Sequence, residues 1–373
     1  MTKERTALLL VPVILVPISL LSGLGLFPLL AGRRPAEASA AVEELTPDSR
    51  FPSFTLGRTS PQAQPVSSFT VLENRIYFTQ DDAEGTTRIG VRSLELADAT
   101  GLPRWISTDF LPGSRPAASS FQATASVLSF FDPGARALVE ADPHSKKREL
   151  IPVGFAVVGS FGRFRSGDFL VDSGNMADFP VSDYRRLKGM MSPREAVDRI
   201  QRCRKGRVFL MGPGFIVKDI AMSSFNGLTA AESSRGEKFL GRYNVRVDPR
   251  RKMAAIFSRN LPGVYLISDR GEKVRRLDTR SQGRLITKDH PLEELLGVGT
   301  RFLYQSDVIV GSGDVLVADP AGGLLWQFDI GSGATRSFAL PFEVQKMERE
   351  GRYLYLLGLG GRFERFFYPE WQG

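Results

Sequence analysis

The sequence predicts an all-β fold built from a repeated unit of four short strands. Three observations indicate it: strand-length runs rich in β-branched and aromatic residues, turn residues between those runs, and a recurrence of this pattern every roughly 40–50 residues. Residues 244–279, NVRVDPRRKMAAIFSRNLPGVYLISDRGEKVRRLDT, show one complete unit. Its four runs are separated by Asp-Pro, Asn-Leu-Pro-Gly and Asp-Arg-Gly, which are typical turn sequences, so we expect an antiparallel meander.

The same order of runs recurs on both sides of that unit. Before it, runs of strand length occupy residues 68–72, 75–79, 89–96 and 104–108, and then residues 127–131, 137–141 and 148–153. After it, they occupy residues 301–310, 314–318, 324–328 and 334–340. A single four-stranded sheet cannot bury both of its faces, whereas repeated sheets packed around a channel can. The repeat therefore predicts a β-propeller.

The last unit indicates how the ring closes. It contains only three runs, at residues 344–349, 352–357 and 362–368, before the sequence ends. The segment RFPSFTLGR, residues 50–58, precedes the first complete unit and is itself strand-like. We expect it to supply the missing fourth strand, because that pairing would cover two exposed sheet edges.

Residues 154–243 follow the pattern less regularly. GFAVVGSFGRFRSGDFLVDSG predicts two strands and ADFPVSDYRRL a third, but SPREAVDRIQRCRK does not fit. There Ser192, Pro193 and Glu195 form a helix-start signal, which predicts a helical insertion near residues 191–206. If residues 154–243 make one enlarged blade the ring has six blades, and if they make two it has seven. We favour six.

Over residues 50–373 this pattern resembles the six-bladed propellers of the TolB-like and NHL-like type. The resemblance is architectural. The Asp…Asn-x-Arg-Ile element of NHL repeats and the GH…WD pair of WD40 blades are absent, and Gly322-Gly323 and Gly360-Gly361 lack the aromatic spacing of kelch repeats. The resemblance implies a fold and assigns no functional residue.

The N-terminal segment, residues 1–32, is predicted to be a membrane signal-anchor. It is uncharged from Thr6 to Gly32, which is long enough to cross a hydrocarbon core of about 30 Å. A cleaved signal peptide, with Ala38-Ser39-Ala40 as its cleavage site, and a buried core helix are the alternatives. Residues 33–49 read as a linker to the propeller at residues 50–373. We expect the propeller to lie outside the cytoplasm, periplasmic or extracellular, and either membrane-anchored or secreted after cleavage.

Composition limits the possible chemistry. The chain has 373 residues, a formal net charge of +8, one cysteine and two histidines, so neither an intrachain disulfide nor a site of several cysteines or imidazoles is available. We expect a non-enzymatic monomer that binds a protein or an anionic glycan or lipid, and no nucleic acid because of the expected export. The predicted partner-binding basic patch consists of Arg194, Arg199, Arg202, Arg204, Lys205 and Arg207.

The alternative is a hydrolase or lyase, similar to lactonases, with Ca²⁺ or Zn²⁺ in the central channel; the leading hypothesis predicts no cofactor. The resemblance to such enzymes implies a site in the central channel, with ligands that converge from several blades. Three or more of the candidate ligands within coordination distance at one mouth of the channel would favour the hydrolase or lyase. The candidate ligands are Asp168, Asp172, Asp307, Glu348, Asn226 and Asn244. We interpret His144 and His290 as surface residues. Four Asp-Pro pairs are interpreted as turns, at Asp132, Asp142, Asp248 and Asp319.

Overall fold

The computed structural model describes residues 42–57, 66–81, 87–95, 104–105, 121–124, 127–153, 158–173, 207–212, 215–220, 243–248, 252–259, 262–279, 284–286, 301–311 and 313–371. Two short strands come first, β1 (Glu43–Glu44) and β2 (Phe54–Thr55). The predicted membrane segment 1–32, the helical insertion near 191–206, His290 and Asn226 lie outside the described residues. Within that part of the chain, no helix is long and apolar enough to cross a membrane.

The first three blades are antiparallel sheets of four strands each. Blade 1 contains β3 (Val66–Leu72), β4 (Arg75–Asp81), β5 (Thr87–Ser93) and β6 (Arg104–Trp105). Blade 2 contains β7 (Phe121–Thr124), β8 (Val127–Asp132), β9 (Ala137–Ala141) and β10 (Arg148–Pro152). Blade 3 contains β11 (Val158–Arg163), β12 (Phe169–Ser173), β13 (Arg207–Gly212) and β14 (Phe215–Ile220).

Three further blades complete the ring. Blade 4 contains β15 (Asn244–Asp248), β16 (Met253–Phe257), β17 (Val264–Ser268) and β18 (Lys273–Leu277). A two-stranded hairpin follows, formed by β19 (Arg284–Ile286) and β20 (Arg301–Leu303). Blade 5 contains β21 (Asp307–Val310), β22 (Asp314–Asp319), β23 (Leu324–Asp329) and β24 (Thr335–Ala339). Blade 6 contains β25 (Val344–Glu350), β26 (Tyr353–Gly358) and β27 (Arg362–Phe367).

The prediction of a six-bladed β-propeller is confirmed. The strands β11 to β14 form one sheet, because β12 pairs directly with β13 from Phe169↔Met211 to Ser173↔Arg207. The predicted strand at 301–310 is two strands, since Tyr304 to Ser306 leave the sheet between β20 and β21. There the Tyr304 N–H donates to the carbonyl of Arg259 in blade 4, and the Ser306 N–H to Ala318 in blade 5.

The ring closes through the N-terminal segment, as predicted. β2 pairs antiparallel with β27, with Phe54 opposite Phe363, and supplies the fourth strand of blade 6. In addition, β1 adds a fifth strand to blade 5 by parallel pairing with β24. Residues 42–49, assigned from the sequence to the linker, therefore lie along blades 5 and 6. We call residues 43–55 the N-terminal clasp.

Each blade buries both faces against its neighbours. In β16 the alternation is visible in single residues: Ala254 and Ile256 pack toward blade 3, and Ala255 and Phe257 pack toward blade 5. Six apolar clusters of this kind fill the six interfaces between blades. The period of two along each strand follows from the pleat, which points successive side chains to opposite faces.

Aromatic residues concentrate where the clasp meets the first and last blades. The ring of Phe363 lies 5.2 Å from Phe69 of blade 1, 5.9 Å from Tyr355 of blade 6, and 5.3 and 6.2 Å from Phe54 and Phe51 of the incoming chain. Phe363 is fully buried. This aromatic cluster joins the two ends of the repeat.

The innermost strands of the six blades are β3, β7, β11, β15, β21 and β25, and they surround the central channel. We call the end of the channel at which these strands begin the front face, and the opposite end the rear face. The second and third strands of each blade are also joined at the front face. The chain therefore leaves β12 at Ser173 and returns to β13 at Arg207 on this face.

Three of the four Asp-Pro turns can be checked in the described residues. Oδ1 of Asp132 accepts backbone N–H bonds from Gly134 and Ala135. Asp142 and Asp319 make equivalent bonds to the residues two and three positions later. These bonds confirm that the carboxylates stabilise strand connections.

Candidate functional site

Five charged side chains gather toward the front end of the channel. Arg246 lies on β15, Arg259 in the turn after β16, Asp307 at the start of β21, and Lys346 and Glu348 on β25. We call these five residues the channel cluster. They come together because inner strands of different blades begin at the same end of the channel, which places their first few residues side by side.

Arg246 and Asp307 form the centre of the cluster. Arg246 Nε donates to Asp307 Oδ1 at 3.2 Å and Nη2 donates to Oδ2 at 2.6 Å, which is a bidentate ion pair. Nη2 also approaches the carbonyl of Met347 at 3.3 Å, and the Met347 N–H donates to Asp307 Oδ2 at 2.8 Å. Burial lowers the pKa of Arg246, but Asp307 and Glu348 together hold it above its usual value. The pair links blades 4, 5 and 6.

Lys346 extends the cluster to blades 1 and 2. Its ammonium donates to the hydroxyl of Ser68 on β3 and to the carbonyl of Phe121 on β7, the latter at 3.2 Å. Only 9% of Lys346 is exposed. Burial, together with the positive charge of Arg246, lowers the pKa of Lys346 to about 7. The amine therefore gains and loses its proton near neutral pH.

Glu348 faces the same group of charges. Its Oε2 lies 3.6 Å from Arg246 Nη1, which is an ion-pair distance but too long for a hydrogen bond. Burial raises the pKa of Glu348, and the positive charges of Arg246 and Lys346 oppose that rise. Titratable groups with shifted pKa values inside a channel are frequent at functional sites.

Arg259 is held differently from Arg246. Its Nε donates to the carbonyl of Ser306 at 3.1 Å, and among the described residues no carboxylate lies within ion-pair distance of it. The side chain is exposed, yet burial lowers its pKa, with Asp307 opposing that effect and Arg246 adding to it. A guanidinium inside an open channel fits both observations, since water reaches it while protein surrounds it. Arg259 thus offers a positive charge to a ligand.

Of the predicted metal ligands that the structure describes, Asp307 and Glu348 come together, and each lies beside Arg246. Asp168 lies in the β11–β12 turn at the rear face, bonded to Ser166, and Asp172 is buried in β12. Asn244 begins β15. In the part of the chain that the structure describes, no group of three or more His, Cys, Asp or Glu residues could hold a metal ion.

The other predicted residues are placed as follows. Arg207 is the first residue of β13, whereas Arg194, Arg199, Arg202, Arg204 and Lys205 lie outside the described residues. His144 is half-exposed in the β9–β10 turn and pairs with Glu73 of blade 1.

Sequence reasoning missed the three basic members of the cluster, Arg246, Arg259 and Lys346. A signal was present in two of them. Arg246 and Lys346 are both the third residue of the first strand of a blade. At that position a side chain points into the interface between neighbouring blades, where an unpaired charge would be costly. A charge there indicates a partner on the next blade.

Comparisons with known proteins show no family for this chain. No family model matches the chain, and no curated protein matches its sequence. Among solved structures, the calcium-binding protein regucalcin from Agrobacterium tumefaciens is 9% identical, with 88% of this chain and 95% of that chain covered at a TM-score of 0.49. BamB from Moraxella catarrhalis is 9% identical, with 82% and 86% covered at 0.40. A nidogen/laminin complex is 10% identical, with 74% and 81% covered at 0.43. The chain is a six-bladed β-propeller whose similarity to these proteins is architectural.

Proposed function

We propose that this chain is a non-enzymatic propeller outside the cytoplasm, tethered by residues 1–32, which binds an acidic protein surface at the front face. An anionic glycan and an anionic lipid head group are the alternative partners. The uncharged span from Thr6 to Gly32 is the basis for the tether and for the location, periplasmic or extracellular. Secretion after signal cleavage is the alternative location.

The observation that carries the binding proposal is the excess of basic over acidic side chains in the channel cluster. The cluster has three basic and two acidic members, and both oxygens of Asp307 are already bonded to Arg246. Arg259 has no carboxylate beside it in the described residues. The chain segment that carries the predicted basic patch is attached to the same face, between Ser173 and Arg207. Both features favour an acidic partner at this face.

The rival function is a hydrolase or lyase with Ca²⁺ or Zn²⁺ in the channel. A metal bound by Asp307 and Glu348 would have to displace Arg246 from a bidentate pair, and that favours the binding function. Mass spectrometry of the native protein, before and after chelation, tests this alternative. A stoichiometric ion that survives dialysis would favour the enzyme.

Binding of a fluorescent polyglutamate peptide to the full chain in nonionic detergent tests the proposal. Arg259→Gln removes one charge from the front face. Arg165→Gln removes one exposed charge from the β11–β12 turn at the rear face and is the matched control. We expect Arg259→Gln to weaken binding about fivefold or more, and Arg165→Gln by less than about twofold, when measured by fluorescence anisotropy.

Equal losses in the two variants would mean that only net charge matters, and would contradict a site at the front face. Vesicles with and without anionic lipid, and polygalacturonate, are tested in parallel. Stronger Arg259-dependent binding to either of these than to the peptide would replace the acidic protein by that partner.

A further inference from the structure

We infer that the outer edge of blade 4 is a docking site for an extended acidic segment of a partner protein, which pairs with β18 and places a carboxylate on Arg275. This edge lies on the side of the ring, apart from the channel cluster. The site therefore goes beyond the proposed binding at the front face and does not depend on it. Blade 5 already holds a segment of this kind within the molecule.

Blade 5 shows how such an edge recognises an acidic strand. There β1 adds parallel to β24, with Glu43 opposite Phe338. Arg336 of β24 donates to both carboxylate oxygens of Glu43, through Nε at 2.8 Å and through Nη2. Its Nη1 donates to the carbonyl of Glu370 at 3.3 Å. Main-chain pairing and one bidentate ion pair thus hold the added strand.

The fourth strands of blades 4 and 5 begin in equivalent ways. In blade 5 the N–H of Asp329 donates to the carbonyl of Ala334 at 2.9 Å, and in blade 4 the N–H of Ser268 donates to the carbonyl of Glu272 at 2.9 Å. In each blade the fourth strand starts at the next residue. The two strands can therefore be compared position by position.

This comparison makes Arg275 the equivalent of Arg336. Each arginine lies two positions before a buried apolar residue, Leu277 in β18 and Phe338 in β24. Val274 is an extra residue, because a bulge in β18 lies before these positions. In the part of the chain that the structure describes, β18 is the last strand of its sheet. Its edge offers the positions that β1 uses on β24.

The guanidinium of Arg275 is also held like that of Arg336. Its Nη1 donates to the carbonyl of Ile330 in blade 5 at 3.0 Å, as the same atom of Arg336 does to a backbone carbonyl. Among the described residues, Nε and Nη2 of Arg275 have no acceptor. These are the two atoms with which Arg336 holds Glu43. Arg275 therefore presents a planar fork of the right shape for a carboxylate.

The charges around this edge favour an acidic partner. The three charged residues of β18 are all basic: Lys273, Arg275 and Arg276. Arg276 already has an ion-pair partner, since its Nε lies 2.9 Å from Asp278. Asp329 lies in the adjoining turn of blade 5, where its Oδ1 accepts two bonds within that turn. A carboxylate from outside would complete the charge pairing of Arg275.

The residue after that carboxylate should be uncharged. In blade 5, Glu44 lies opposite Ala339. The equivalent of Ala339 in blade 4 is Asp278, whose side chain is 80% exposed and would repel a second acid. Val274 is 53% exposed and offers an apolar contact. We therefore expect the partner segment to carry an acidic residue followed by an apolar one.

Fluorescence anisotropy with the full chain in nonionic detergent measures this binding. The probe is the labelled peptide VEVLTPD, the sequence of residues 42–48 with Glu44→Val. We expect saturable binding to the wild type and at least about fivefold weaker binding to Arg275→Gln. Lys252→Gln removes one exposed charge from the same blade and should change the affinity by less than about twofold.

A second peptide, VQVLTPD, removes the carboxylate and leaves the protein unchanged. It should bind the wild type at least about fivefold more weakly than VEVLTPD, whereas Arg275→Gln should distinguish the two peptides by less than about twofold. Bound VEVLTPD should also slow hydrogen exchange of the backbone amides of residues 273–278, measured by mass spectrometry.

Three results would overturn the inference: no saturable binding to the wild type, equal affinity of the two peptides, or protection of residues 335–339 in place of 273–278. The last would mean that the peptide displaces β1 from blade 5. Arg259→Gln should bind VEVLTPD within about twofold of the wild type. If polyglutamate depends on Arg259 while VEVLTPD does not depend on Arg275, the proposed function stands and the blade 4 site fails. The reverse result keeps the blade 4 site and contradicts the front face.

Discussion

Replacing Asp307 by Asn tests whether the channel cluster stabilises the ring. The change removes the negative charge that faces Arg246 at 2.6 and 3.2 Å and keeps the size of the side chain. Removing one partner of a buried ion pair costs about 3–5 kcal/mol, because the remaining charge is left uncompensated. Arg246 keeps Glu348 at 3.6 Å, and 19% of its side chain is exposed. We therefore expect a loss near the lower limit, about 3 kcal/mol in the free energy of unfolding.

The assay is urea-induced unfolding of the full chain, followed by near-ultraviolet circular dichroism. A double-mutant cycle with Arg246→Met separates the ion pair from other effects of each change. We expect the double mutant to lose less than the sum of the single mutants, by at least about 1.5 kcal/mol. A loss below about 1 kcal/mol for Asp307→Asn, with additive single mutants, would refute the reasoning. The apolar interfaces between blades would then hold the ring without help from the channel.

Three further predictions use the same unfolding assay. Folding lowers the pKa of Lys346 from 10.5 to about 7, so the unfolded chain binds more protons than the folded chain between these pH values. The free energy of unfolding of the wild type, relative to that of Lys346→Met, should therefore rise from pH 7 to 9 by up to about 1.4 kcal/mol per pH unit. A difference that does not change with pH would contradict the lowered pKa. Phe363→Ala should lower the free energy of unfolding by about 3–5 kcal/mol, since it removes the buried centre of the aromatic cluster. A loss under about 1.5 kcal/mol would show that the clasp packs without this ring. A Cβ added at Gly90 would lie 2.2 Å from Cζ of the buried Phe78, so Gly90→Ala should cost about 1–3 kcal/mol. Gly313→Ala is the control, because nothing lies within 4 Å of its Cβ position, and equal losses would count against the packing argument.

The blades could be predicted from the sequence because each pair of strands is specified by residues that are close together in the chain. A run such as MAAIF, followed by a turn and VYLIS, specifies two paired strands whatever the rest of the chain does. Closure by residues 50–58 could also be predicted, since a three-stranded last unit leaves an edge that needs a partner. The parallel pairing of β1 could not, because Glu43-Glu44 has neither the apolar pattern nor the β-branched residues of a strand.

Only the acidic residues of the channel cluster could be predicted from the sequence, and the reason is physical. Asp307 and Glu348 were recognised as acidic residues in strands, but a sequence does not say which groups face them. Arg246 is 61 residues from Asp307, and Lys346 is 278 residues from Ser68. Those pairs depend on how the inner strands are staggered around the ring, which no local pattern encodes.

The N-terminal clasp has a consequence for the order of assembly. Its ion pair between Glu43 and Arg336 joins residues 293 positions apart, whereas the strands within a blade are near neighbours in sequence. Contacts between residues that are distant in sequence form slowly, because the chain loses the entropy of closing a long loop before the contact can stabilise it. During synthesis the clasp leaves the ribosome well before its partners in blades 5 and 6. We expect the growing chain to exist as an open arc of blades, with two unpaired edges that are protected only after blades 5 and 6 have been made.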